Sequence, residues 1–218
     1  MRITLPTGTA AELARPDSDI DPRLGVVLFP DIMGLRPLFD DMCARLAAEH
    51  SWVVCAPEPF PGQEDLDVPG RIALMPKLSD ERLRADALAA ADATGCERVV
   101  ATGFCMGGML TFKAAGSGRF ARAAAFYGMI RLPDDWEGAL APPVEALASP
   151  DRCPTMAIVG SVDPYTPAAD VGEAEALGVE VVRYEGADHG FVHDPSRPAH
   201  RAADAADAWR RVVAFLTA

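Results

Sequence analysis

Apolar residues fall into short runs separated by longer amphipathic segments along the 218-residue chain. The runs at 25–29 (GVVLF), 52–56 (WVVCA), 98–103 (RVVATG), 121–127, 155–160 (TMAIVG) and 179–184 (VEVVRY) predict strands. Several are apolar throughout, as central strands of a parallel sheet are when helices cover both faces. Helical patterns occupy 37–48, 80–94, 107–115, 167–177 and 198–216. Pro37, Pro167 and Pro198 read as first-turn prolines, where no amide bond is lost. Segments 2–5 and 12–15 read as an antiparallel pair at the sheet edge. The alternation predicts a doubly wound, mostly parallel α/β sheet flanked by helices, in a single domain over 1–218 without a large lid. Ligands bind such sheets beyond the carboxyl ends of the strands, so the loops after each strand are where chemistry is sought.

Composition narrows the function classes. Half the residues are hydrophobic and 24% are charged, which excludes wholesale disorder. The net charge of −12 opposes a phosphate backbone, so no nucleic-acid partner is expected. No apolar run approaches the ~20 residues of a membrane helix. The N-terminal stretch lacks an apolar core followed by a cleavage site, so the expected location is cytoplasmic. Five cysteines (43, 55, 96, 105 and 153) are odd in number and scattered, which reads as neither a disulfide framework nor a zinc cluster. Buried thiols are the expectation for all but one.

That one lies in Gly103-Phe104-Cys105-Met106-Gly107-Gly108, directly after a predicted strand and opening a predicted helix. The pattern G-x-nucleophile-x-G in a strand–turn–helix setting is a nucleophile elbow. Its sharp turn strains the nucleophile's backbone and brings the flanking positions too close to neighbouring backbone for a Cβ. The helix N-terminus favours a thiolate and a developing oxyanion. A base and an orienting acid are expected later in the chain. Asp163 follows the strand at 155–160 and His189 follows the strand at 179–184, which puts both on the same rim as Cys105.

Across nearly its whole length the chain resembles the dienelactone hydrolase family of α/β-hydrolases. The resemblance is carried by PDIMGL (30–35), VVCAPEPF (53–60), GFCMGG (103–108), FYG (126–128), VGSVDPYTP (159–167) and GADHGF (186–191). It implies Cys105 as nucleophile, His189 as base and Asp163 as orienting acid. It places the oxyanion hole on the backbone amides of Met106 and Ile32. Hydrolysis of a small ester or lactone through a thioacyl-enzyme follows, without metal or organic cofactor. Thioesterase or other small-acyl hydrolase activity is the alternative, and a non-catalytic binding fold is a third reading.

Two departures from the family pattern bear on substrate. Asp31 stands where the family has a glutamate that holds the resting thiol; it either takes over that task or bonds within its own loop. The arginines that bind the substrate carboxylate in the family have no counterpart in Pro59-Phe60-Pro61-Gly62 or at His193, which argues for neutral substrates. Arg36 and Arg71 are alternative cations, each read more readily as solvated. Tyr127, His193, Phe191, Arg36 and Trp136 are the candidate pocket residues. His189 and His193 have metal-ligand spacing, but Gly190 and Pro195 oppose a helix there. A small-molecule substrate and a monomer or small homo-oligomer complete the expectations.

Overall fold

Residues 1–17, 22 and 24–218 are described, in a computed structural model of the chain. The apolar runs become strands β1 (Arg2–Thr4), β2 (Ala10–Ala14), β3 (Leu24–Phe29), β4 (Val53–Pro57), β5 (Arg98–Phe104), β6 (Ala123–Phe126), β7 (Thr155–Gly160) and β8 (Glu180–Tyr184). They form one sheet in the order β1-β2-β4-β3-β5-β6-β7-β8. β1–β2 and β2–β4 pair antiparallel, and the other pairs are parallel. Helices are α1 (Pro37–His50), α2 (Val68–Leu74), α3 (Asp80–Ala93), α4 (Met106–Ala115), α5 (Pro143–Leu147), α6 (Ala168–Ala176) and α7 (Ala202–Thr217).

The pleat explains why β3 is apolar throughout. Val26 and Leu28 pack with Phe39, Met42 and Leu46 of α1 and Val212 of α7, on one face. Val27 and Phe29 pack on the other face with Met109 and Leu110 of α4 and Ala90 of α3. A third cluster joins Val159 of β7 to Val144 of α5 and Val171 of α6. The result is a single α/β domain with both sheet faces covered. Among the described residues, no helix is long and apolar enough to cross a membrane.

The chain leaves β3 for β4 on one side and returns to β5 on the other. The loops after β3 and β5 therefore diverge at the sheet's switch point, where a crevice opens. Two expectations change at helix boundaries. Pro198 does not open the last helix: Asp194 Oδ1 accepts from the Ser196 N–H (2.9 Å) and hydroxyl (2.6 Å), a local turn forms, and α7 begins at Ala202. Pro167 caps α6 instead of lying in its first turn. The sequence pattern also does not predict α2, which has Pro69 and Gly70 in its first turn. Asp67 Oδ1 starts it by accepting from the Gly70 N–H at 2.9 Å.

Candidate active site

Cys105 sits between β5 and α4 with φ 58° and ψ −121°, a backbone conformation that L-residues rarely adopt. The flanking glycines explain how the turn closes. A Cβ on Gly107 would lie 2.1 Å from the Phe29 carbonyl oxygen, and one on Gly103 would lie 2.4 Å from that of Gly107. Cys105 is half-buried, whereas Cys43, Cys55, Cys96 and Cys153 are buried. Burial pushes the Cys55 thiol up to about 12 and Cys153 to about 11, so both are poor nucleophiles.

His189 and Asp163, which follow β8 and β7, meet across their loops. His189 Nδ1 lies 2.9 Å from Asp163 Oδ2, and the Asp163 side chain is fully buried. Asp163 Oδ1 also accepts the Tyr165 N–H at 2.8 Å, so both carboxylate oxygens are engaged. Tyr127 and Tyr165 hold the His189 ring edge-on, with centroids 5.1 and 4.9 Å away. Burial alone would depress the imidazole. The Asp163 hydrogen bond and then the Cys105 side chain outweigh it and raise the pKa to about 10. His189 Nε2 is buried with no hydrogen-bond partner among the described residues, and Cys105 is the neighbour that, after Asp163, raises the imidazole.

A cavity of about 430 Å³ joins these groups. Its walls include Ile32, Val68, Ile72, Met129 and Trp136, and Cys105 and His189 are on its surface. Neither the Met106 nor the Ile32 amide donates to another protein group among the described residues. A separate cavity of about 340 Å³, beside α3, α4 and α5, contains none of these groups.

Several pocket expectations are corrected. Arg36 and Trp136 line the cavity, but Tyr127, His193 and Phe191 do not. Phe191 and Tyr127 are fully buried in the core that contains Phe104 and Phe126, and His193 is buried beside them. Asp31 bonds within its own loop and also reaches beyond it to His193, and no hydrogen bond joins it to the thiol among the described residues. It accepts two bonds from Arg36 (2.7 and 2.8 Å), the Met33 N–H (2.9 Å) and His193 Nε2 (2.8 Å). Arg71 is not solvated. Its buried guanidinium meets Glu58 at 3.1 Å, and Glu58 also accepts the Leu35 and Phe60 N–H groups. Segment 189–193 is turn rather than helix, and His189 and His193 serve different carboxylates.

Sequence reasoning missed Arg197, a cavity-wall residue with no ion-pair partner among the described residues. Its guanidinium packs on Gly190, where a Cβ would lie 2.8 Å from Nη1. Only the turn at 194–200 brings it there, so residue spacing carried no signal for it.

Among solved structures, a Klebsiella pneumoniae protein provisionally assigned as a dienelactone hydrolase superposes with TM-score 0.83 at 26% identity, covering 100% of this chain and 97% of that one. A thermophilic esterase from Thermogutta terrifontis shares the fold at TM-score 0.64 and 19% identity, over 96% of this chain and 87% of its own. A Synechocystis relative bearing the provisional name carboxymethylenebutenolidase is 30% identical, over 86% of this chain and 82% of its own. An Escherichia coli O157:H7 relative with the same provisional name is 29% identical, over 93% and 80%. The model of the dienelactone hydrolase family matches residues 9–218. With that match spanning nearly the whole chain, the protein belongs to the dienelactone hydrolase family and is an ester- and lactone-directed hydrolase.

Proposed function

We propose that the hydrolase acts on small esters or lactones through Cys105, His189 and Asp163. The observation that carries this reading is the 2.9 Å Asp163–His189 pair on the cavity that also exposes the strained elbow cysteine. Asp163 fixes the imidazole through Nδ1, which leaves Nε2 to serve the thiol. His189 takes the Cys105 proton, a transfer that the raised imidazole pKa favours, and the thiolate so formed attacks the carbonyl. The Met106 and Ile32 amides receive the tetrahedral oxyanion. Imidazolium then donates its proton to the departing alkoxide, leaving a thioacyl-enzyme. In the second half, His189 takes a proton from water, hydroxide adds to the thioester, and Cys105 leaves with the acid released.

The apolar wall of Ile32, Val68, Ile72, Met129 and Trp136 suits neutral acyl groups. Arg36 is held by Asp31, which leaves Arg197 as the cation available to an anionic substituent. A reducing compartment such as the cytoplasm suits a thiolate nucleophile. The test is hydrolysis of an activated ester by Cys105→Ala, with intact-protein mass spectrometry of wild type during turnover. Loss of turnover in the variant and an acyl adduct on Cys105 in wild type are expected. Undiminished turnover by Cys105→Ala rejects the mechanism.

A further inference from the structure

The triad does not use His193, yet this ring is fully buried between two partners. Its Nδ1 lies 2.5 Å from Tyr127 Oη and its Nε2 lies 2.8 Å from Asp31 Oδ2. Phe104 stacks on it at 4.9 Å and Phe39 at 6.1 Å. Burial keeps the ring neutral, lowering its pKa despite the Asp31 bond, so it carries one N–H. Asp31 is an ionised carboxylate: His193 and Arg36 hold its pKa far below the usual range against the opposing effect of burial. An ionised carboxylate only accepts. Nε2–H must therefore donate to Asp31, and Nδ1 must accept from the Tyr127 hydroxyl.

The bridge joins two segments that carry candidate catalytic groups, those of Ile32 and His189, through a third at Tyr127. Asp31 directly precedes Ile32. Tyr127 directly follows β6 at φ 39°, an uncommon conformation for this residue, and its ring touches that of His189. His193 closes the turn that begins at His189. Asp31 and His193 are 162 positions apart. We propose that His193 is a positioning residue for hydrolysis, locking the loop of the Ile32 amide to the loop of His189 through a one-directional Tyr127–His193–Asp31 hydrogen-bond chain. The chain has an electrostatic role as well. A carboxylate one residue from an oxyanion donor opposes negative charge there, and donation from His193 and Arg36 offsets it.

The inference rests on the reading of Cys105 as nucleophile and Ile32 as oxyanion donor, so Cys105→Ala is measured in parallel. His193→Phe keeps an aromatic ring in the stack and removes both bonds; His193→Gln restores one donor and one acceptor. Turnover is referred to sites counted by the acylation burst, which excludes misfolded enzyme. The Phe variant is expected to lose about 30- to 100-fold in kcat, with KM changed by less than about threefold. The Gln variant is expected to recover most of the loss. Wild-type kcat in His193→Phe, a change confined to KM, or equal impairment in both variants overturns the bridge. If Cys105→Ala retains turnover, the underlying mechanism fails, whatever the His193 variants show.

Discussion

Arg71 offers a quantitative test of the loop scaffold. The Arg71→Met substitution keeps most of the side-chain volume and removes the charge opposite Glu58. The Glu58 side chain is only 1% exposed, so its carboxylate cannot be rescued by water. Breaking a buried pair from one side costs about 3–5 kcal/mol. Glu58 keeps its bonds from the Leu35 and Phe60 N–H groups, which favours the lower part of that range. Arg71 also donates to the Leu66, Glu64 and Ile32 carbonyls; the first two lie at the surface, where water replaces the lost donors. The expected loss is therefore about 3–4 kcal/mol. For a chain of this size that corresponds to a fall in Tm of about 6–16 °C. Urea denaturation of wild type, Arg71→Met, Glu58→Gln and the double variant separates the pair from its surroundings. The double variant should recover part of the loss, since it buries no unpaired charge. A Tm within 2 °C of wild type for Arg71→Met, or strictly additive losses in the double variant, would refute the reasoning.

Gly107→Ala should fail to accumulate as folded protein, because its Cβ would meet the Phe29 and Pro30 carbonyl oxygens at 2.1 and 2.3 Å; wild-type solubility and Tm would contradict this. Asp163→Asn removes the leading interaction that raises His189, so the alkaline fall in kcat/KM, expected near pH 10 in wild type, should move to lower pH; an unmoved limb argues against that coupling. His193 and Asp31 both have depressed folded-state pKa values. Their contribution to stability is present above their unfolded values of 6.5 and 3.8 and is lost as pH falls, so Tm should drop below pH 6.5 and less so in His193→Gln. Arg197→Ala should raise KM about three- to fivefold for an ester bearing a carboxylate, the range for an exposed ion pair, and leave KM for a neutral ester unchanged.

What the sequence alone determined is governed by short-range geometry. The strand runs, the alternation that makes the sheet parallel, and the glycines around Cys105 all reflect local dihedral and packing demands, and they appear within a few residues of one another. The rim positions of Asp163 and His189 follow from the strand that precedes each. Helix α2 was not legible, because Pro69 and Gly70 oppose a helix and a cap with tertiary contacts maintains it. Nor could residue type separate the buried Arg71 from a solvated one, since its burial depends on Glu58 in another loop. The same holds for the pocket wall. His193, Phe191 and Tyr127 are on the correct rim, but their side chains turn into the core, while Arg197 reaches the cavity from a later turn. Only tertiary structure decides such placements, because each depends on loops that are far apart in sequence and meet where the strands end.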